Sequence, residues 1–99
     1  MEIVNKFENG RQTFVVSGSL DTVTSPALQA EVDKLGEPVR ELTFDFSQLN
    51  YISSAGLRVM LTANKKMLSR GGTMSISGAN ESVREVFDMT GFSDIFTLV

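Results

Sequence analysis

The segment Leu42–Phe46 constrains the fold of this chain more than any other, because apolar and polar residues alternate along it. Successive side chains of a β-strand point to opposite faces, so the alternation predicts a strand with one buried face and one wetter face. The same period recurs at Thr73–Ser77, where Met74 and Ile76 are the apolar members. Central strands of a sheet that is covered on both sides are instead apolar throughout. We therefore expect a mixed sheet whose helices all pack on one face.

Two further strands are predicted at Glu2–Phe7 and Thr13–Ser17, with Asn9-Gly10 between them. Both central positions of a type I′ turn need a positive φ, which Asn and Gly adopt most readily, so this dipeptide predicts a hairpin. The strand that contains the alternating segment is expected to run from Glu41 to Phe46 and to lead through a short loop into a helix.

Three helices are predicted from their start and stop signals. The first begins at Ser25-Pro26 and ends at Gly36, the second runs from about Ser53 to Ser69, and the third follows Asn80 and ends at Gly91. The resulting order is β-β-α-β-α-β-α with a short tail. Because no linker or repeat interrupts it, residues 1–99 are expected to form one α/β domain.

The composition disfavours several classes of function. The chain has no cysteine and no histidine, so thiol catalysis and Ser-His pairs cannot occur and zinc loses its usual nitrogen and sulfur ligands. We therefore expect no enzyme activity, no metal and no cofactor. The net charge is −3 and no basic cluster exceeds Lys65-Lys66, which disfavours nucleic acid as a partner. No apolar run is long enough to span a bilayer and no signal-peptide pattern is present, so we expect no membrane insertion and a cytoplasmic location.

Two adjacent hydroxyl groups, those of Ser53 and Ser54, lie at the predicted junction between the third strand and the second helix. A serine there could act as a nucleophile, as a helix cap or as a phosphate acceptor. No activating base accompanies either serine, which disfavours the nucleophile. A phosphate would be tolerated beside the free N–H groups of a helix start, yet it would add almost two negative charges to the surface. The junction therefore has the properties of a switch.

The residues around this junction resemble those of STAS domains, specifically the bacterial anti-sigma factor antagonists. Asp45–Leu57 is similar to their strand ending near Asp-x-Ser, followed by Ser-x-Gly-Leu at a helix start. Gly18–Asp21 resembles their Gly-x-Leu-Asp loop, and Thr90–Phe92 with Ile95-Phe96 resembles the segment after their third helix. The three matches occur in register over nearly the whole chain, so the resemblance implies a single STAS-type domain.

The resemblance also implies a mechanism of partner switching. In that family an anti-sigma factor, which is an ATP-dependent serine kinase, phosphorylates the serine two residues before Gly-Leu, here Ser54. The unmodified antagonist binds the kinase and frees the sigma factor, the phosphorylated form dissociates, and a PP2C-type phosphatase restores it. Ser53 stands where many members have Asp; we expect it to cap the helix, and it is the second choice as acceptor. The alternative function is a constitutive STAS subunit of a transporter or sensory complex, without phosphorylation.

A partner-binding surface is predicted around Ser54. Asp21 has two open interpretations: a loop residue that binds its own backbone, or a residue across a shallow groove from Ser54. The apolar residues of the second helix cover a wider arc than one-sided packing needs, so its edge is expected to be partly exposed for docking. Arg58, Lys65 and Lys66 are expected to form a solvated helix face. The predicted partner-binding residues are Asp21, Ser53, Gly56, Val59, Ala63 and Met67.

Overall fold

A computed structural model describes every residue from Met1 to Val99. Its elements are β1 (Glu2–Glu8), β2 (Arg11–Leu20), α1 (Ser25–Asp33), β3 (Glu41–Ile52), α2 (Ser54–Ser69), β4 (Thr73–Ser77), α3 (Glu81–Thr90) and β5 (Thr97–Leu98), with a short 3-10 helix at Phe92–Asp94 before β5. The five strands form one sheet in the order β1-β2-β3-β4-β5. β1 is antiparallel to β2, and every other neighbouring pair is parallel. The sheet is therefore mixed, as the sequence predicted.

The topology places all three helices on one face of the sheet. From β2 onward, each parallel strand is added on the same side of the strand before it, and a helix connects each pair. Such crossovers are right-handed in almost all proteins, so three steps in one direction bring their helices to the same face. Burial along β3 agrees, because Leu42, Phe44 and Phe46 are buried whereas Thr43 and Asp45 are partly exposed. The one-sided architecture predicted from the alternation is confirmed.

The core lies between this sheet face and the helices, and its centre is a row of phenylalanines. The ring of Phe44 lies 5.6 Å from that of Phe14 on β2 and 5.9 Å from that of Phe46 on its own strand. All three side chains are at most 2% exposed. Burying a side chain of this size stabilises a fold by about 1.5–3 kcal/mol, so the alternating segment contributes heavily to the stability of the domain.

The predicted hairpin between β1 and β2 is present. Asn9 has φ of 50° and Gly10 has φ of 80°, the two positive values that a type I′ turn requires. The strands pair from Glu8 with Arg11 outward, so the turn has two residues.

The loop predicted between Phe46 and Ser53 is wrong, because β3 continues through it to Ile52. Its register against β2 shifts twice, between Val15 and Ser17 and again between Gly18 and Ser19, and each shift adds one residue to β3. An extra residue in one strand breaks the period-two pattern by which a strand is recognised in a sequence. The bulged half of β3 therefore lacks the alternation that identifies its first half.

The end of α1 also differs from the prediction, because the helix stops at Asp33 and not at Gly36. Side chains at the end of α2 bind backbone carbonyl groups at the end of α1 and in the segment that follows it. Lys66 Nζ donates to the carbonyl oxygens of Val32 at 3.0 Å and Asp33 at 3.2 Å. Arg70 donates to the carbonyl oxygen of Gly36 at 2.6 Å. The expectation that Lys66 belongs to a solvated face is therefore wrong, since its ammonium group joins α2 to α1.

We expect Lys66→Met to lower the free energy of unfolding by about 1 kcal/mol, because it removes two charge-assisted hydrogen bonds and keeps the aliphatic stem. Lys65→Met is the matched control, since Lys65 is exposed and makes no ion pair or side-chain hydrogen bond. Urea denaturation of both variants measures the difference. Equal stability of the two variants would show that the α1–α2 cross-links contribute nothing.

Candidate functional site

The end of β2 and the start of α2 are joined by a hydrogen bond at the β3–α2 junction. The backbone N–H of Ser53 donates to the carbonyl oxygen of Leu20 at 2.8 Å. Ser53 has an extended backbone, with φ of −98° and ψ of 177°, and its own carbonyl accepts from the N–H of Leu57 at 3.0 Å. Ser53 is therefore the residue that turns the chain from strand to helix, and Ser54 is the first residue of α2.

The two neighbouring serines lie in opposite environments. The side chain of Ser54 is exposed, whereas Ser53 Oγ is buried and has no hydrogen-bond partner. Ser53 occupies the cap position that was predicted, but its hydroxyl makes no cap hydrogen bond, so the predicted capping by the side chain is wrong. The first turn of α2 also contains no acidic residue, so no side chain neutralises the N–H groups there.

Gly56 lies beneath this junction, where α2 approaches the ends of β2 and β3. A Cβ atom built on Gly56 would lie 2.8 Å from Ile52 Cγ1 and 2.9 Å from Leu20 Cγ, closer than real Cβ contacts. Gly56 is buried, so it faces the core and not a partner. The prediction that Gly56 binds a partner is therefore wrong. Because glycine has only a hydrogen atom in place of a side chain, the start of α2 can pack against the sheet here.

The docking edge predicted along α2 does not exist. Val59 is 4% exposed, and Ala63 and Met67 are fully buried. The helix packs against α1 on one flank as well as against β3 and β4 below it, so its apolar arc is wide because it has two neighbours. The prediction that these three residues are partly exposed for docking is wrong.

Two shallow grooves flank the exposed side of α2 near Ser54. The α2–α3 groove is lined by Ser54, Leu57, Arg58, Leu61, Thr90 and Phe92. The α1–α2 groove is lined by Thr22, Ser25, Pro26, Gln29, Ala55, Arg58, Val59 and Thr62. Arg58 lines both grooves and therefore stands on the ridge between them. Ser54 is exposed at the rim of the α2–α3 groove, and the groove residues Leu61 and Phe92 are half-buried.

Sequence reasoning did not select Leu61, Thr90 or Phe92 as site residues, although signals for them were present. Leu61 follows Leu57 by four residues, which places both on one face of the helix. Thr90, the last residue of α3, and Phe92 both belong to the segment that resembles the family pattern. The sequence did not indicate that the end of α3 packs beside the start of α2, and this arrangement is seen only in the fold.

Asp21 organises the loop that follows β2. Its carboxylate oxygen Oδ1 accepts from the N–H of Val23 at 2.9 Å and of Thr24 at 3.0 Å, and the Thr24 hydroxyl lies 3.1 Å away. The hydrogen bond from the Thr24 backbone is the largest cause that lowers the pKa of Asp21, because such bonds stabilise the ionised form. The interpretation of Asp21 as a residue that binds its own loop is thus observed. A contact across the groove to Ser54 stays a prediction.

We expect Gly56→Ala to destabilise the domain by about 1–2 kcal/mol, because the added methyl group must displace Leu20 or Ile52 despite the better helix propensity of alanine. Gly36→Ala is the control, since a Cβ there meets only Pro38 Cδ at an ordinary 3.5 Å. Thermal unfolding of both variants tests the close approach, and a Gly56→Ala variant as stable as Gly36→Ala would contradict it.

The architecture and the junction together define a class of domain, in which a mixed sheet is covered by helices on one face and a serine begins the central helix. Residues 3–99 match the STAS domain family. The chain belongs to the STAS domain family, as its resemblance predicted. None of its helices has the length and apolar character needed to cross a membrane.

Curated relatives of the chain carry the names of anti-sigma factor antagonists. The chain is 45% identical over 69 residues to BtrV of Bordetella bronchiseptica, which is assigned as an anti-sigma factor antagonist; the match covers 70% of this chain and 57% of that protein. It is 26% identical over 83 residues to the anti-sigma-B factor antagonist of Bacillus subtilis, covering 84% of this chain and 76% of that protein. The chain thus spans less than two thirds of the Bordetella protein.

Solved structures share the fold at low identity. An anti-sigma factor antagonist from Mycobacterium paratuberculosis has a TM-score of 0.87 at 23% identity, over 98% of this chain and 83% of that chain. SpoIIAA of Bacillus has a TM-score of 0.80 in its unphosphorylated form, over 99% of this chain and 87% of SpoIIAA. Its phosphorylated form has a TM-score of 0.79, over 99% of this chain and 91% of SpoIIAA, and both forms are 15% identical to this chain. A sulfate transporter family protein from Wolinella succinogenes gives 0.77 at 15% identity, over 87% of this chain and 70% of that chain. The fold therefore occurs in more than one functional setting.

Proposed function

We propose that this protein is an anti-sigma factor antagonist whose binding to its partner is controlled by phosphorylation of Ser54. The observation that carries the proposal is the difference between the two junction serines: Ser54 is exposed at the start of α2, whereas the Ser53 hydroxyl is buried. The relatives named as anti-sigma factor antagonists support an anti-sigma factor as the partner.

The accessibility of its hydroxyl supports Ser54 as the acceptor. A kinase must bring the γ-phosphoryl group of ATP in line with the attacking oxygen, which requires open space around that oxygen. Ser54 Oγ attacks the phosphorus, ADP leaves, and the hydroxyl proton passes to a base on the kinase. Ser53 would need the helix start to open first, so it is disfavoured as the second acceptor.

The α2–α3 groove supplies the surface that this phosphate controls. Leu57, Leu61 and Phe92 give it an apolar floor and wall, while Ser54 lies at its rim. Burying an unpaired group with nearly two negative charges in an interface costs several kcal/mol, on the order of a hundredfold or more in affinity. The unmodified protein therefore binds the serine-kinase anti-sigma factor and frees the sigma factor, and the modified protein is released. A PP2C-type phosphatase then restores the unmodified state.

A surface switch of this kind leaves the fold intact. The first turn of α2 contains no carboxylate that would repel a phosphate, and its free N–H groups favour negative charge. SpoIIAA offers a parallel, since its two forms match this chain almost equally well. The protein acts in this scheme as a substrate and a binding partner, without contributing catalysis.

We expect the wild-type protein and Ser53→Ala to gain one phosphate when incubated with ATP and the serine-kinase anti-sigma factor of the same organism, and Ser54→Ala to gain none. Intact mass followed by peptide mapping measures the modification. Phosphate that persists in Ser54→Ala and disappears in Ser53→Ala would reverse the assignment.

The same kinase separates the proposal from its alternative. A constitutive subunit of a transporter or sensory complex would bind its partner independently of phosphate. Equal affinity of the unmodified and the Ser54-phosphorylated protein for the kinase would therefore contradict the switch and favour that alternative, for which the transporter-family structure supplies the parallel in fold.

We expect Leu61→Asp to weaken binding of the unmodified protein to the kinase by at least about tenfold, because it places a carboxylate in the apolar groove. Leu68→Asp is the matched control, since Leu68 lies on the same helix, is 65% exposed and does not line the groove. Calorimetric titration compares the two variants after circular dichroism has confirmed their helix content. Equal affinities would place the interface elsewhere.

A further inference from the structure

We propose that Arg58 is the intramolecular binding partner of a phosphate group on Ser54. Its guanidinium group would hold the phosphate against the exposed face of α2, on the ridge between the two grooves. The inference rests on the proposed function in one respect, namely that Ser54 is phosphorylated. The arrangement of Arg58 relative to Ser54 is a property of the unmodified fold.

The spacing brings the two side chains together. Ser54 is the first residue of α2 and Arg58 follows it by four residues, so both lie on one face about one turn apart. Cβ atoms at this spacing are about 5–6 Å apart, and helical side chains lean toward the N-terminus. The long Arg58 side chain can therefore reach back to Ser54, and both residues line the α2–α3 groove.

The Arg58 guanidinium group has no other partner in the unmodified protein. The ion pairs of the structure are Arg11 with Glu41 and Lys34 with Glu31, and the Arg58 side chain makes no hydrogen bond. Arg70, near the other end of α2, instead binds backbone carbonyl groups. Forming a contact with phosphate would thus break no existing interaction of Arg58.

Arg58 is the one ionisable residue among those that line the two grooves. Asp21 is an acidic residue in the loop that the Leu20–Ser53 hydrogen bond holds beside the start of α2. Its carboxylate already accepts hydrogen bonds from Val23 and Thr24 within that loop. Asp21 therefore does not compete as the partner of Arg58.

A guanidinium group binds phosphate with two parallel N–H···O bonds, which fix its position as well as its charge. Phosphorylation would then change the surface of the ridge in two ways. It would add the phosphate at the rim of the α2–α3 groove, and it would withdraw the one cation that both grooves present to a partner. The local surface would change from a net charge of +1 to about −1.

The second pKa of the phosphate reports this contact directly, because a nearby guanidinium favours the dianion. We install phosphoserine at position 54 during synthesis of the full chain, so that the test needs no kinase, and titrate it by phosphorus NMR. The pKa of free phosphoserine is about 6. We expect Arg58→Gln to raise the phosphate pKa by roughly half a unit relative to the wild-type background, and Arg58→Lys to restore part of the shift.

Lys65→Gln is the matched control, since it removes the same charge from an exposed position further along the same helix. We expect it to change the phosphate pKa by less than about 0.1 unit, because a distant exposed charge is screened by salt. Equal pKa values in the wild-type, Arg58→Gln and Lys65→Gln backgrounds would overturn the role of Arg58. Failure of the kinase to modify Ser54 would instead contradict the proposed function and leave this titration unaffected.

Discussion

The hydrogen bond from the Ser53 N–H to the Leu20 carbonyl determines the arrangement of the junction on which the remaining site depends. It joins the end of β2 to the start of the central helix, and Gly56, which has no Cβ, lets that helix approach Leu20 and Ile52 closely. A buried backbone donor without a partner costs about 1–3 kcal/mol, so the bond and the close packing support each other. Together they fix the direction in which α2 leaves the sheet.

That direction separates the environments of two residues that are chemically identical. Ser53 completes the strand-to-helix turn with its hydroxyl enclosed, and Ser54 begins the helix with its hydroxyl in solvent. The enclosed hydroxyl lacks a partner, which is a cost that an apolar side chain would avoid. The physical difference between the serines is thus one of backbone placement, and no property of the isolated side chains would reveal it.

The parts of the fold that the sequence predicts are those encoded by local pattern. Alternation in Leu42–Phe46 identified the one-sided sheet, and Asn9-Gly10 identified the hairpin, because each depends on residues adjacent in the chain. The second half of β3 was missed because its bulges break the alternation. The burial of Val59, Ala63 and Met67 was missed for another reason: helical phasing gives the width of an apolar arc, whereas the neighbour that covers it comes from elsewhere in the chain.

The site combines both kinds of information, which explains why its residues were only partly predicted. Family resemblance pointed to Ser54 and to the segment after α3, but it assigned no contact between them. The fold brings the end of α3 beside the start of α2, and this creates an apolar groove with a serine at its rim and one cation on its ridge. A phosphate at that rim, as proposed, would change the charge of the groove and access to it without touching the phenylalanine core. A regulatory modification can therefore act on binding while the stability of the domain remains set by the sheet and the helices behind it.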